Sequence, residues 1–175
     1  MKKIIKAIII VVILALLMPF AYKGAKKLYY SYLAYEAKKY EGRSVLNISG
    51  KDISGKRYNL NDFKGKNIVI VFWATWCKTC IEEMPKINKF YKNLDKNTIL
   101  ISSLADKNLN KAKELIKLNS IKYPVIVDKN NLEMDGEFNK FFKITHTPSI
   151  WVIDKNGTII AQNLLHIDEV SNFLK

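Results

Sequence analysis

The feature that most constrains this chain is a junction between two kinds of periodicity. Asn67-Ile68-Val69-Ile70-Val71-Phe72-Trp73 is an apolar, β-branched run, and the cysteines of Cys77-Lys78-Thr79-Cys80 follow it four residues on. A run apolar on both faces is expected to be a central strand covered on both sides. Beyond it Cys80, Met84, Ile87, Tyr91 and Leu94 recur at intervals of four, three, four and three, which places them on one helix face. The two cysteines are therefore expected where a buried strand turns into the first turn of a helix.

That placement carries chemistry. A helix N-terminus leaves backbone N–H groups unpaired and presents the positive end of the helix dipole, which favours a thiolate. Lys78 adds a cation next door. Cys77 is expected to have a lowered pKa and to attack, and Cys80, one turn on, to release the mixed disulfide. These are the only cysteines in the chain. A bond between them closes too small a loop to stabilise a fold through chain entropy, so it points to chemistry rather than scaffolding. Half a zinc site is the alternative, but zinc needs a second pair or suitably spaced histidines, and only His146 and His166 exist.

The rest of the globular part reads as one α/β domain with a mixed sheet and no internal repeat. Short strands are expected around 47–50 and 55–58 as an N-terminal hairpin, and a turn over 61–66 leads into 67–73. A strand follows at 98–104, a helix at 110–119 with Ala112, Leu115, Ile116 and Asn119 on one side, and a strand at 124–127. A short helix is expected at 137–142, then a hairpin of 149–153 and 158–162 about Asp154-Lys155-Asn156-Gly157. Asp168 is expected to cap a last helix running to Leu174. A domain of about 130 residues can bury a core without staples.

The net charge of +13 invites a nucleic-acid reading, so its distribution matters. The first 44 residues hold nine Lys or Arg against two Asp or Glu, a net +7. More than half the excess thus surrounds an apolar run, and the remaining lysines are scattered. A solvated, lysine-rich surface accounts for them, and no nucleic-acid partner is expected.

Ile4 to Tyr22 is almost entirely apolar, with Lys6 near its start. Such a run is just long enough for a hydrocarbon core of about 30 Å. A cleaved signal peptide is the alternative, but residues 18–23 offer no small-x-small site. The expectation is an uncleaved transmembrane anchor over 1–22. Lysines flank it on both sides, so the charge rule gives no orientation. Residues 23–44 then read as a helical linker. Its tyrosines and lysines suit the membrane–water interface, and a plain spacer would serve as well. The globular domain takes 45–175.

Phe72-Trp73-Ala74-Thr75-Trp76-Cys77-Lys78-Thr79-Cys80 with Glu82-Glu83-Met84-Pro85 resembles the TlpA/ResA-like family of membrane-anchored thioredoxin-fold proteins. Relatives of that family include the cytochrome c maturation reductases and the copper-sensitivity suppressor thioredoxins. Thr147-Pro148-Ser149, followed by Val152-Ile153-Asp154-Lys155-Asn156-Gly157, matches the family's cis-proline loop and last hairpin. The resemblance spans about 45–175 and implies a thioredoxin-like fold and thiol–disulfide exchange.

On individual positions the resemblance implies that Cys77 is the exposed nucleophile and Cys80 the buried resolving thiol. Pro148 would be the cis-proline beside the disulfide, and Thr147 would offer its backbone to the substrate chain. An X-Pro bond tolerates cis far better than others, and it removes a donor that would obstruct that approach. A simple turn before a strand is the plainer reading of Pro148. Glu83 falls where many of these proteins carry a glutamate. It could accept the proton of Cys80, or be a first-turn acid suited to the helix dipole. Trp76 is expected to cover the dithiol as a contact surface, and Trp73 to be core. Pro85 is expected to kink the helix. His146 is a candidate to tune Cys77, although a lone histidine is commonly incidental. His166 reads as surface.

Two departures leave the redox potential open. Val71 stands where thioredoxin has a buried aspartate, and Lys78-Thr79 lacks the proline common in reductases. The first reading is an extracytoplasmic disulfide reductase on the outer side of a bacterial cytoplasmic membrane. It would act on protein disulfides such as those of apocytochrome c or of an oxidised thiol protein under copper stress, and be re-reduced by a membrane thiol donor. The cysteine pair itself would serve as the redox centre, with no cofactor. The alternatives are an oxidase and a tethered copper(I) metallochaperone, which on this fold uses a wider cysteine spacing and a distal histidine.

Overall fold

The computed structural model describes residues 2–38, 45, 48–127, 138, 141–142, 144 and 146–174. The chain divides into two compact units, Met1–Glu36 and Ala37–Lys175. The first is one long helix, α1 (Lys2–Lys38), which passes through Pro19. The boundary expected at Tyr22 thus falls inside a continuous helix, and residues 39–44 of the expected linker lie outside the described residues. Among the described residues no helix is long and apolar enough to cross a membrane. Within α1, side chains are described at 4, 6, 15–29, 31–32 and 35, so part of the apolar run lies outside that statement.

The second unit is built on a seven-stranded mixed sheet of order β2-β1-β5-β4-β3-β6-β7. The N-terminal hairpin forms from β1 (Ser49–Asp52) and β2 (Arg57–Asn59) and places β1 antiparallel to β5 (Val125–Val127). Gly50 permits this close pairing, because a Cβ there would lie 2.5 Å from Ile126 Cγ2 and force that buried side chain to move. A single 3-10 turn (Leu60–Phe63) then leads into β3 (Asn67–Trp73), every residue of which is buried.

β3 lies parallel to β4 (Thr98–Leu104) and antiparallel to β6 (Ser149–Ile153), and β6 pairs with the edge strand β7 (Ile159–Leu164). Two helices accompany the parallel strands. They are α2 (Lys78–Lys92), between β3 and β4, and α3 (Leu109–Leu118), between β4 and β5. Successive side chains of a strand point to opposite faces. On one face Ile68, Ile70 and Phe72 join the main core with Phe138, Phe142, Trp151 and Ile153. On the other, Val71 and Trp73 line the space beneath Cys80, Met84 and Ile87 of α2.

Most expected elements lie within two residues of those observed, and the end of the chain differs in kind. The last helix is a 3-10 turn, Ile167–Asn172, and its N-cap is His166 rather than Asp168. The Glu169 carboxylate accepts the N–H groups of Leu165 (3.2 Å) and His166 (2.9 Å), which fixes the turn two residues before the expected start. Of the short helix expected at 137–142, Phe138 and Phe141 are helical, and 137, 139 and 140 lie outside the described residues.

Candidate active site

The site is set by how β3 ends. The backbone carbonyl of Trp73 accepts the N–H of Ala105 at 2.8 Å, tying the strand to the end of β4. Asp106, the next residue, accepts both the Thr75 N–H and its hydroxyl. Asp106 also accepts the Asn108 N–H at 2.7 Å, so one carboxylate holds the loops after β3 and β4 together. The Cys77 N–H donates to Ala74 O at 3.1 Å, closing the turn that presents Cys77 as the N-cap of α2.

Cys77 and Cys80 form a disulfide, with S–S 2.05 Å and Cα atoms 5.3 Å apart. Cys77 Sγ also accepts the Cys80 backbone N–H at 3.2 Å, one of the donors a helix start leaves unpaired. The amide that would stabilise a Cys77 thiolate is thus already aimed at its sulfur. In this oxidised form Cys77 is only 5% exposed and Cys80 2%, so Cys77 is less open than an exposed nucleophile was expected to be. Its sulfur is folded back over the first helical turn, which removes most of its surface. Lys78, the expected cation, stands in solvent and pairs with Glu82 at 3.7 Å. Its charge is screened by water and contributes little at the sulfurs.

Beneath the disulfide lies a cavity of about 10 Å³, of the order a single water needs. Its wall includes Val71, Trp73, Cys80, Glu83, Tyr123, Pro148 and Leu165. The Thr147–Pro148 peptide bond is cis, and the proline ring is brought beside Cys80 across this space. Thr147 Oγ1 is buried and has no hydrogen-bond partner among the described residues. Trp76 is 66% exposed next to Cys77 and offers a large apolar surface at the mouth of the site, whereas Trp73 is core and donates its indole N–H to Ser102 Oγ at 3.3 Å. His146 is exposed. Pro85 sits inside α2, which continues past it to Lys92.

Glu83 is the unusual group. It is 4% exposed, and α2 turns it inward on the same side as Cys80 and Met84. Burial pushes its pKa up. Against this, Lys86 Nζ at 2.6 Å and the Ile167 N–H at 3.3 Å favour the anion, as do His166 Nδ1 at 3.3 Å when the ring carries a proton there and the charge on Lys86. The second set wins, and the carboxyl is held below its ordinary range. Tyr123 is shifted by burial alone, which pushes its phenol up.

Of the expected site residues, the structure places Cys80, Glu83 and Pro148 around one cavity, joins Cys77 to Cys80, leaves Trp76 exposed beside Cys77, and sets Thr147 on the cis bond to Pro148. Lys86 and His166 were not singled out. Lys86 lies three residues after Glu83, a spacing at which helical side chains meet, so a signal for it existed. His166 is half exposed, as a surface residue should be, and yet reaches Glu83 from 83 positions away; nothing local could have shown it. Among the described residues no group of three or more His, Cys, Asp or Glu is placed to hold a metal ion.

A parallel and antiparallel sheet, a dithiol at a helix start and a cis-proline across from it define a thioredoxin-fold thiol–disulfide protein. Comparison with known proteins agrees: residues 41–175 match the Redoxin family, and the chain belongs to it. It is 36% identical over 136 residues to the thiol-disulfide oxidoreductase ResA of Bacillus cereus, covering 77% of this chain and 76% of that protein. It is 30% identical to the thioredoxin-like protein YneN of Bacillus subtilis over 75% of this chain and 76% of the relative. Among solved structures, the thioredoxin domain of a thiol-disulfide oxidoreductase from Bacteroides vulgatus superposes with a TM-score of 0.64 at 26% identity, over 77% of this chain and 98% of that one. The protein is a thiol–disulfide oxidoreductase with Cys77 and Cys80 as its redox pair.

Proposed function

We propose that this oxidoreductase works as a reductase of protein disulfides, tethered to the outer side of a bacterial cytoplasmic membrane. The observation that carries the direction is the buried, ionised Glu83 lining the cavity of Cys80. A strong oxidant stabilises its dithiol form, usually as a thiolate. Here the Cys80 amide assists a Cys77 thiolate, but Lys78 is solvated and paired with Glu82, while the Glu83 carboxylate shares the cavity of Cys80 and disfavours charge on it. On balance the disulfide is the favoured state of the pair. A pair that prefers to be oxidised gives its electrons away.

In this reading Cys77, assisted by the amide of Cys80, attacks the substrate disulfide. Cys80 loses its proton to Glu83, directly or across one water, and displaces the substrate from Cys77. Thr147 and Pro148 would line the bound peptide, with Trp76 packing on it from the exposed side. The two sulfurs carry both electrons, so the reaction needs no cofactor. A membrane thiol donor would return the pair to its dithiol form. Apocytochrome c and proteins oxidised under copper stress are substrate classes consistent with such a site.

The tether is argued from Ile4–Tyr22, which carries one charge in nineteen residues. Leu16, Leu17, Met18, Phe20 and Tyr22 of α1 are all more than half exposed, a patch that calls for a cover of lipid or protein. Location is tested by treating intact cells with a membrane-impermeant maleimide after mild reduction. Labelling of Cys77 supports the reading, and labelling only after lysis refutes it. Activity is tested by mixing the reduced chain with an oxidised protein substrate. Net reduction of the substrate is expected; a reduced chain that leaves it oxidised would contradict the reductase direction.

A further inference from the structure

Two basic side chains converge on Glu83 Oε1 from different elements: Lys86 Nζ of α2 at 2.6 Å and His166 Nδ1 of the C-terminal turn at 3.3 Å. Each is about half exposed, 53% for Lys86 and 51% for His166, while Glu83 is 6% exposed in its side chain. The carboxylate is therefore a buried group with two contacts leading to solvent. The other titratable groups around it are few. Cys80 and Tyr123 share its cavity, Asp168 acts on Lys86, and Glu169 accepts the backbone N–H of His166.

A carboxyl that is held ionised does not retain a proton near neutrality. Whatever Glu83 takes from Cys80 has to be passed on. The Ile167 amide has no acceptor to offer, and a lysine ammonium has three donors and no lone pair. A neutral imidazole does accept, and histidine is the side chain that takes up and releases protons around neutral pH.

We propose that His166 is the proton exit of the exchange reaction, passing to water the proton that Glu83 removes from Cys80. The inference rests on the reading of Glu83 as that acceptor. In the step concerned, Cys80 Sγ–H gives its proton to Glu83. The Cys80 thiolate forms the Cys77–Cys80 bond, and the bond from Cys77 to the substrate sulfur breaks. The enzyme dithiol is oxidised by two electrons and the substrate disulfide reduced. Glu83 returns to carboxylate by transfer to Nδ1 of a neutral His166 ring that carries its own proton on Nε2. The imidazolium, whose Nδ1–H then donates to the carboxylate, gives its Nε2 proton to water, and exchange with solvent restores the starting tautomer. The substrate thiolate is protonated from solvent. Lys86 fixes the carboxylate without taking part in the transfer.

The test uses the reduced full-length chain in detergent and dithiobis(nitrobenzoate), whose coloured thiolate leaves once when Cys77 attacks and again when Cys80 resolves. In H166Q the glutamine can keep a hydrogen bond to Glu83 but cannot carry a proton. The first release should be unchanged and the second slowed roughly tenfold, a modest share of what proton transfer contributes. The dependence of the second rate on pH should weaken, and added imidazole should restore the rate. An unchanged second release, or a slowed one that imidazole does not restore, overturns the proposal. E83Q separates the causes. If it slows the second release while H166Q does not, the exit alone is wrong. If neither variant alters it, the role of Glu83 falls as well.

Discussion

Glu83 and Ile167 are 84 positions apart, and the Oε2 of the first accepts the backbone N–H of the second at 3.3 Å. That N–H is the first of the C-terminal 3-10 turn, a donor the turn itself cannot satisfy. One buried carboxylate therefore lies beside the dithiol and caps the last element of the chain.

The pH dependence of stability follows from this pairing. The carboxyl of Glu83 is lowered in the folded state from its reference value of 4.5. The sign is that of a depressed acid: its stabilisation is whole above that reference value and is lost as pH falls through the folded pKa. Urea unfolding at successive pH values should show E83Q less stable at pH 7 by about 1–3 kcal/mol, because Lys86 and the Ile167 amide lose an ionised partner. Below the reference value of 4.5, as pH falls through the lowered folded pKa, the difference between the two proteins should shrink.

The two cysteines have unequal roles. Cys77→Ser should abolish exchange with any disulfide. Cys80→Ser keeps the attacking sulfur and removes the resolving one, so mixed disulfides should accumulate and be visible as reducible adducts on a non-reducing gel. A Cys80 variant that forms none would reverse the assignment.

Trp76 is two-thirds exposed beside Cys77, so it is dispensable for folding and available for contact. Trp76→Ala should leave the melting temperature within about two degrees of the parent. The rate constant with a protein disulfide should drop about tenfold, the equivalent of about 1.4 kcal/mol of contact. The rate with a small disulfide should change little.

The opposite face of the sheet carries the stability. Phe142 is fully buried and its ring centroid lies 5.4 Å from Phe72, 5.5 Å from Phe138 and 5.1 Å from Trp151. Phe142→Ala should cost about 3–5 kcal/mol, measured by denaturant unfolding, with the site chemistry retained in the folded fraction.

How much of this was legible depends on the range of the interactions involved. β3 was readable to the residue, because a strand buried on both faces shows an unbroken apolar run whatever surrounds it. β4 was too, from Ile99-Leu100-Ile101, although Thr98, Ser102 and Ser103 make its run only partly apolar. The dithiol was readable because its chemistry needs a strand, a turn and a helix start in immediate succession. The end of the chain was not. Asp168 is a good helix cap by type, but Glu169 reaches back to Leu165 and His166 and starts the turn earlier. The link from Glu83 to His166 joins two elements that only the folded sheet brings together, and half-exposed histidines look alike in sequence.

The central claim is that Glu83 and the solvated Lys78 leave the Cys77–Cys80 pair more stable as a disulfide than as a dithiol. The most direct measurement is its reduction potential, by equilibration with glutathione or dithiothreitol at pH 7. A value at or below about −230 mV is expected, in the range of thioredoxin and glutaredoxins. A value near −120 mV, that of a strong oxidant, would contradict it.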